Sequence, residues 1–280
     1  MLTISEIVKM AIKEDVLSGD ITSLTTVSDQ AKGNAIMHMK EDGVVSGIEV
    51  AKEVFFQVDP QLHVRILASD GQQVCEGHTL IEVEGKLRSI LTAERVALNF
   101  MQRMSGIATK THRFVKLIEE YHAQIVDTRK TTPLLRILEK QAVRDGGGRN
   151  HRQGLYDAVM IKDNHIKAAG GITQAVNAAR NQVPHTMKIE VEVENFAQLH
   201  EALTVGCDII MLDNMQPSLM AEAVKLIDGR AVVEASGGIS EVNIVEIART
   251  GVDYISLGAL THSAVSLDIG LDLFEKKVIL

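Results

Sequence analysis

The sequence has 280 residues, of which 45% are hydrophobic and 24% charged, and its formal net charge is -8. This length and composition are typical of a globular protein with one large domain or two smaller ones. The acidic balance argues against nucleic acid as the main partner because a phosphate backbone requires a basic surface, and the absence of a long apolar run argues against a membrane span.

The first element is predicted to be an amphipathic helix that begins after Thr3. Thr3 and Glu6 have the spacing of a capping box, and apolar residues follow at helical spacing. This start lacks the basic and apolar regions of a signal peptide. Cys75 and Cys207 are too few for a disulfide framework and suit a reducing compartment. We therefore expect a cytoplasmic protein.

Residues 20–90 carry short segments of mixed apolar and polar residues between turn signals, a pattern typical of an antiparallel or mixed sheet. The segment SGIEVAKEVFFQV (46–58) between them is predicted to be a helix. This part of the chain is therefore predicted to form an α+β domain. The predicted strands are GNAIMHMK (33–40), LHVRILAS (62–69) and HTLIEVEG (78–85).

Two helices are predicted next. Thr92 is a suitable N-cap for the helix TAERVALNFMQRM (92–104), in which apolar residues recur at helical spacing. Gly106 is expected to end this helix, and ATKTHRFVKLIEEYH (108–122) is expected to form a second one.

Beyond Tyr121, short β-rich runs alternate with helical stretches, which indicates a parallel α/β architecture. Strand ends recur every 21 to 23 residues from Glu192 to Gly258, a spacing that suits a (β/α) barrel. Only six strands are apparent, too few for a closed eight-stranded barrel, and Rossmann and P-loop glycine motifs do not occur. The predicted strands are QIV, AVMI, KIEVEVE, DIIM, AVVEA and DYIS.

Polar residues follow these strands at the carboxyl edge, where α/β barrels carry their active sites. The first two strand ends and the Gly-rich loop between them are basic, with eight Lys and Arg against five acids from Asp127 to His165. Such a loop lets backbone N–H groups approach an anion, although each feature alone would equally describe a solvated loop. The candidate residues are Thr128, Arg129, Lys130, Arg149, His151, Arg152 and Lys162.

The next two strand ends are acidic. Glu190, Glu192 and Glu194 alternate, so their side chains point to one face of the third strand. Like charges this close are costly inside a barrel, so either the face is partly in solvent or at least one glutamate meets a cation, a metal or sugar hydroxyls. The fourth strand ends in Asp213 and Asn214, which alone would suit an Asx turn.

The last two strands end in small residues, SGG (236–238) and LGA (257–259). Small residues that open a helix N-terminus form a phosphate cradle, whereas a single such segment is an ordinary turn. Together, the strand ends predict a ligand with several negative charges, a phosphate, and a polyol or metal-bound part. Because no activated nucleophile or zinc-type spacing is apparent, positioning and charge stabilisation are the expected catalytic tools.

The sequence resembles the quinolinate phosphoribosyltransferase family over essentially its whole length, from EDVLSGDIT to LDIGLDL. The segments that carry the resemblance are LTAERVALNFMQRMSGIAT, DTRKTTPLLRILEKQAVRDGGGRNHRQGLYDAVMIKDNHI, EVEVEN, LDN, ASGG and SLGALTHS. The resemblance implies that the enzyme joins quinolinate to phosphoribosyl pyrophosphate (PRPP). The implied products are nicotinate mononucleotide, pyrophosphate and CO2, in de novo NAD synthesis.

The resemblance also implies the fold. The α/β chain would comprise an N-terminal α+β sandwich domain, residues 1–105 with 266–280, and an incomplete, seven-stranded parallel α/β barrel, residues 106–265. A homodimer is implied, in which Arg95 enters the neighbouring subunit's site.

Residue roles follow from the same resemblance. Lys130, Lys162, Glu192 and Asp213 would be catalytic. Lys130 would lie near PRPP, and the two acids near the ribose hydroxyls and Mg2+, which they would hold indirectly. The quinolinate carboxylates and nearby phosphate would be bound by Arg95, Arg129, His151, Arg152 and Lys162, beside Thr128. The 5′-phosphate would lie at Ser236, Gly237, Gly238, Leu257, Gly258 and Ala259.

Two alternatives remain open. One is the related molybdenum-operon protein group, which shares the TRKT…GGG…HR region but lacks a lysine equivalent to Lys162. The other is a non-catalytic binding protein on the same fold, since a fold alone does not determine activity. The intact IKDNH segment favours the quinolinate enzyme.

Overall fold

The computed structural model describes residues 2–274, and Met1 and residues 275–280 lie outside the described part. The chain divides into two compact units. The first contains the residues up to His112, Thr131–Gly147 and the described residues from Leu260 onward, and the second contains Arg113–Lys130 and Gly148–Ala259. The domain boundaries expected from the sequence stay a prediction, and the part of that prediction that concerns residues 275–280 falls outside the described chain.

The helices and strands begin with α1 (Ile4–Val16), α2 (Ile21–Thr26), β1 (Lys32–Met39), β2 (Gly43–Val44), α3 (Ile48–Val58), β3 (His63–Ile66), β4 (Gln73–Val74), β5 (Thr79–Lys86) and α4 (Leu87–Leu117). They continue with β6 (Gln124–Val126), α5 (Arg136–Asp145), β7 (Val159–Ile161), α6 (Asp163–Ala169), α7 (Ile172–Gln182), β8 (Ile189–Val193) and α8 (Phe196–Val205). The last are β9 (Ile209–Asp213), α9 (Pro217–Ile227), β10 (Val232–Ser236), α10 (Ile244–Arg249), β11 (Tyr254–Ser256), α11 (Ala259–His262) and β12 (Ile269–Phe274).

The first unit contains a four-stranded antiparallel sheet in the order β12-β1-β5-β3. Strand β1 alternates along its length, and Ala35, Met37 and Met39 are buried, as a strand with one face toward the core requires. Met37 is paired with Ile81 on one side and with Leu271 on the other. The described end of the chain therefore returns to this sheet, as the resemblance implies.

Most local predictions for the first unit are confirmed, but the helix start at Thr92 is wrong, because α4 already begins at Leu87. The capping box is present: the Thr3 hydroxyl accepts the Glu6 N–H at 3.2 Å, and the Glu6 carboxylate accepts the Thr3 N–H at 2.7 Å. The predicted break at Gly106 is wrong, because α4 runs through both Thr92 and Gly106. A Cβ at Gly106 would lie 2.0 Å from the Val265 carbonyl oxygen, so this glycine permits a close backbone approach instead of ending a helix.

The second unit contains a parallel six-stranded sheet in the order β6-β11-β10-β9-β8-β7. These are the six strands predicted from the sequence, with helices between most of them. Beyond β6, Arg149 forms a single parallel bridge with Val126, so one further backbone segment extends that edge. The seven-stranded barrel itself stays a prediction. Within residues 2–274, no helix is both long and apolar enough to span a membrane.

Candidate active site

A close ion pair marks the carboxyl edge of the sheet in the second unit. The register of β7 and β8 pairs Ile161 with Val191, so the next residues on the two chains, Lys162 and Glu192, are neighbours. The Lys162 ammonium lies 2.7 Å from a Glu192 carboxylate oxygen, and the two side chains are 44% and 11% exposed. One glutamate of the alternating trio therefore meets a cation, which is one of the two outcomes expected from the sequence.

Asp213 lies at the end of β9, on the strand next to the one that carries Glu192. The register of β9 and β10 pairs Asp213 with Ser236. Burial and then the neighbouring Glu192 charge raise the pKa of the Asp213 carboxyl group, while Lys162 acts in the opposite direction. Two acids on adjacent strands with one lysine beside Glu192 leave a negative potential that suits a metal ion or hydroxyl donors.

The turn after β10 requires glycine. Gly237 has φ +90°, and a Cβ there would lie 2.2 Å from the Asn214 side-chain oxygen. The Asn214 N–H in turn donates to the Ser236 carbonyl oxygen at 2.9 Å. Glycine is therefore required at position 237 of the predicted phosphate turn, because only glycine combines this φ with so close an approach.

The expectation that both small-residue turns open helices needs correction. After Gly238 the chain continues through a loop, and α10 begins only at Ile244. After Leu257 and Gly258 the helix α11 begins directly at Ala259, but it has four residues. A phosphate at these turns would therefore be met by turn N–H groups and would gain little from a helix dipole, which requires a longer helix.

On the basic side of the site, Thr128, Arg129 and Lys130 follow β6. Thr128 and Arg129 are half-buried and Lys130 is exposed, and the Thr128 hydroxyl accepts the Lys130 N–H at 3.0 Å. This contact turns the chain sharply at the strand end.

Asp127 anchors the Gly-rich segment to β6. Its buried carboxylate accepts hydrogen bonds from the Asn150 side chain at 2.6 Å and from the His151 N–H at 2.8 Å. Asp127 is a site residue that was missed at the sequence level. The available signal was an acid placed directly after an apolar strand.

His151 contacts two buried acids through one ring nitrogen. Its Nε2 lies 3.2 Å from a Glu190 carboxylate oxygen and 3.5 Å from a Glu234 carboxylate oxygen. Its Nδ1 accepts the Arg152 N–H at 2.7 Å. Burial and then Glu190 raise the pKa of Glu234 to about 7. Glu234 was missed at the sequence level, although it lies on the same side of β10 as Ser236, two residues earlier.

Arg152 is held in a partly buried position close to a second guanidinium. Its side chain donates to the Ala158 carbonyl oxygen at 3.2 Å. Burial and then Arg129 lower the pKa of Arg152, and Glu190 opposes them. Two like charges in a desolvated setting are stabilised by an anion between or beside them, which is the chemistry predicted for these residues.

A cavity of about 790 Å3 lies inside the second unit, and His151, Arg152, Glu190 and Glu234 line it. Its other lining residues include Ile209, Val232 and Tyr254, which begin their strands. The cavity therefore extends toward the amino ends of the sheet, away from Lys162, Glu192 and Asp213 at the carboxyl edge. Arg95 belongs to the other compact unit, where it is exposed on α4.

A parallel α/β sheet with clustered cations and paired acids at its strand ends defines an enzyme class that binds anionic small molecules. Family models make the assignment specific. The model of the quinolinate phosphoribosyl transferase N-terminal domain matches residues 20–105, and that of the C-terminal domain matches residues 107–272. The chain belongs to the quinolinate phosphoribosyl transferase family.

Individual relatives agree with this assignment. A probable nicotinate-nucleotide pyrophosphorylase [carboxylating] from Bacillus subtilis is 45% identical over 92% of this chain and 89% of the relative. A quinolinate phosphoribosyltransferase [decarboxylating] from Nicotiana tabacum is 44% identical over 95% of this chain and 81% of its own. The solved nicotinate-nucleotide pyrophosphorylase of Francisella tularensis superposes with a TM-score of 0.93 and 41% identity, covering 97% of this chain and 96% of that chain.

Proposed function

We propose that this enzyme transfers the phosphoribosyl group of PRPP to the ring nitrogen of quinolinate. Loss of the adjacent carboxylate as CO2 then gives nicotinate mononucleotide, with pyrophosphate as the other product. The observation that carries the proposal is the Lys162–Glu192 ion pair at the carboxyl edge of the sheet, next to Asp213. The lysine of this pair would bind an anionic substrate, and the neighbouring acids would bind the hydroxyl groups of a sugar.

Quinolinate carries two carboxylates, and the proposal assigns them to the cationic side of the site. Burial and then the nearby Arg129 charge lower the pKa of Arg152, so a bound dianion would offset the repulsion between the two guanidinium groups. Guanidinium groups bind carboxylates with directional, paired hydrogen bonds. Lys162 would contribute a third cation to the quinolinate site. His151, whose ring nitrogens meet Arg152 and two buried acids, would contribute by holding Arg152.

The phosphoribosyl group would lie on the acidic side. Glu192 and Asp213 would accept hydrogen bonds from the ribose hydroxyls and stabilise the positive charge that develops on the sugar during ribosyl transfer. The exposed Lys130, following Thr128, would attract the pyrophosphate end of PRPP. The turns 236–238 and 257–259 would hold the 5′-phosphate through backbone N–H groups.

The carboxylates of Glu192 and Asp213 also fit a magnesium ion. Mg2+ prefers carboxylate and phosphate oxygens, and the raised pKa of Asp213 beside Glu192 is an imbalance that a cation relieves. When bound with PRPP, Mg2+ would offset the negative charge of the leaving pyrophosphate. Because Lys162 already occupies one Glu192 oxygen, we propose that the two acids hold the metal indirectly.

Decarboxylation needs no additional catalytic group. Once the ring nitrogen is alkylated, its positive charge stabilises the electron pair left on the adjacent ring carbon when the C–C bond to the carboxylate breaks. That carbon then takes a proton from solvent, which gives the C–H of nicotinate mononucleotide. The residues of the site would act by positioning the substrate and by balancing charge. This agrees with a site built from cations and acids.

Arg95 would contribute to the site of the neighbouring subunit in a homodimer. Its exposure on α4 leaves its charge accessible to a partner, and a two-fold dimer would create two equivalent shared sites. We also propose a cytoplasmic location, which the two free cysteines support because reducing compartments preserve thiols.

The deciding experiment mixes purified protein with quinolinate, PRPP and Mg2+ and measures CO2 and nicotinate mononucleotide. Both products should form in equal amounts. Nicotinic acid, with one carboxylate, should be a much poorer substrate, since it leaves a partly buried cation without its carboxylate partner. Binding without turnover would indicate a non-catalytic protein. Comparable kcat/KM for the two acids would contradict the proposed dianion site.

A further inference from the structure

The two ring nitrogens of His151 face different groups: one faces a hydrogen-bond donor, and the other faces two carboxylate acceptors. Its Nδ1 lies 2.7 Å from the backbone N–H of Arg152, and a backbone amide can only donate. Nδ1 must therefore be unprotonated, and the proton of the neutral imidazole lies on Nε2. That proton points to Glu190 and Glu234, whose nearer carboxylate oxygens lie 3.2 and 3.5 Å away.

The same three side chains also have the composition of a divalent metal site. One potential ligand atom from each of His151, Glu190 and Glu234 falls within 4.8 Å of the others. A metal on Nε2 would require the proton on Nδ1, where ligating histidines normally donate to a carboxylate or carbonyl. Here Nδ1 faces a donor. The hydrogen-bond pattern therefore supports an Nε2–H group held by two acids.

We infer that Glu190 and Glu234 are positioning residues that set the orientation of Arg152 through His151. The two buried carboxylates hold the Nε2–H, which leaves Nδ1 as the acceptor that fixes the Arg152 N–H. Asp127 restrains the same segment from the other side by accepting the His151 N–H at 2.8 Å. The inference rests on the proposed function, since it takes Arg152 to bind a quinolinate carboxylate.

The two buried acids of this arrangement carry an energetic cost. Glu190 and Glu234 are among the few charged side chains of the described chain that are buried, and each has a second oxygen, Oε1, without a hydrogen-bond partner among the described residues. Such groups are costly to bury. Proteins retain such costly groups mainly at functional sites, and here the two acids would serve to orient Arg152.

The tautomer can be measured directly on unliganded protein labelled with 15N-histidine. The chain has ten histidines, and the His151 signals are those absent from His151→Gln. We expect an unprotonated Nδ1 and a protonated Nε2. Glu190→Gln should preserve this state because an acceptor oxygen remains, whereas Glu190→Met combined with Glu234→Met should give a mixture of tautomers. A Nδ1–H tautomer in the wild type, or its appearance on adding Zn2+ or Mg2+, would overturn the inference in favour of a metal site.

Kinetics then separate positioning from a general structural role. The Glu190→Met/Glu234→Met variant should raise the KM for quinolinate about tenfold, with little change in the KM for PRPP. Glu190→Gln should stay close to wild type. Glu194→Met is the matched control, because Glu194 belongs to the same alternating set as Glu190 but is exposed. If the double variant does not fold, as judged by circular dichroism, the single Met variants replace it.

The outcomes distinguish failure of the proposed function from failure of the positioning role. Wild-type protein that releases no CO2 would overturn the proposed function. Active wild-type protein together with unchanged quinolinate KM in the folded Met variants would overturn the positioning role alone. Equal increases in both KM values would likewise indicate general disturbance of the sheet and contradict the inference.

Discussion

At the scale of single residues, Lys162 is the side chain on which the proposed chemistry depends most. It combines a half-exposed ammonium with a 2.7 Å contact to Glu192, so it can meet an incoming carboxylate while its own position stays defined. A lysine is a compact point charge. Its removal would leave both the substrate and Glu192 without their cation.

We expect Lys162→Ala to lower kcat/KM by on the order of 100-fold, because removing one member of a charged hydrogen-bonded pair costs roughly 2–5 kcal/mol. The thermal midpoint should change little, since the lysine side chain is partly exposed. Steady-state kinetics and circular dichroism provide the measurements. Lys167→Ala is the control, because Lys167 forms an exposed ion pair with Asp163 on α6. Near-normal turnover of Lys162→Ala would refute its assignment.

Glu192→Gln should lower kcat, because it keeps the shape of the side chain and removes the charge that stabilises the ribosyl transition state. Single-turnover rates of ribosyl transfer would test this most directly. Glu194→Gln, at an exposed position on the same chain segment, should remain near wild type. Should Glu194→Gln be the damaging change, the choice of Glu192 within the alternating trio would be wrong.

Glu234 makes stability depend on pH. Its pKa is raised from 4.5 to about 7 in the folded protein by burial and then by Glu190, so the folded state binds its proton more tightly than the unfolded state does. The cost of ionising it is absent below pH 4.5 and grows as pH rises toward 7. Glu234→Gln should therefore match the wild type near pH 4.5 and exceed it by roughly 2–3 kcal/mol at pH 8.

Urea unfolding at the two pH values would measure this difference. Glu241→Gln serves as the control, because Glu241 is exposed and its replacement should have the same small effect at both. A Glu234→Gln effect that is equal at the two pH values would show that ionisation of this buried acid does not limit stability.

At the scale of elements, α4 shows how a contact overrides helix propensity. A glycine inside a helix costs about 1 kcal/mol relative to alanine, so propensity alone predicts that Gly106→Ala stabilises the protein. The added Cβ would, however, lie 2.0 Å from the Val265 carbonyl oxygen. Something in the backbone would have to move.

We therefore expect Gly106→Ala to destabilise the protein by about 1–3 kcal/mol, the usual cost of forcing extra volume into a packed site. Chemical denaturation would give the free energy of unfolding. Gly77→Ala is an informative comparison, since it has a strained φ of +82° but no atom within 4 Å of the new Cβ. A gain in stability for Gly106→Ala would show that the backbone of residues 265 and 266 adapts without cost.

At the scale of the whole molecule, the open question is how Arg95 takes part in catalysis. We propose that Arg95 acts in the site of the neighbouring subunit, so Arg95→Ala and Lys162→Ala should each have little activity alone. In a mixed dimer, one site would combine an intact Arg95 with an intact Lys162, and the other would carry both defects. Random exchange makes half of the dimers mixed, so roughly a quarter of wild-type activity should return.

Activity is measured after subunit exchange has been verified with fluorescently labelled chains. Two Lys162→Ala populations mixed in the same way form the control and should recover nothing. If verified exchange between Arg95→Ala and Lys162→Ala also restores no activity, Arg95 acts within its own chain or outside the site.

Local patterns in the sequence determined most of the elements and the composition of the site. Thr3 and Glu6 identified the first helix, and short runs of β-type residues located β1, β3, β5 and the six strands of the parallel sheet, but not β12. Lys162 and Asp213 follow apolar runs and were predicted to share one edge, because parallel strands bring their carboxyl ends together. Alternation placed Glu192 on one face with Glu190 and Glu194, and the family resemblance selected it from the three. The family motifs then defined the chemistry.

Tertiary structure alone decided the contacts that depend on residues far apart in sequence. The continuation of α4 through Gly106 follows from a backbone approach near Val265, which no local propensity encodes. The pairing of Lys162 with Glu192 and of His151 with Glu190 and Glu234 depends on strand register. Local spacing determines which way a side chain points. Its charge partner, its burial and its protonation depend on the neighbouring strands, whose positions are fixed only when the sheet assembles.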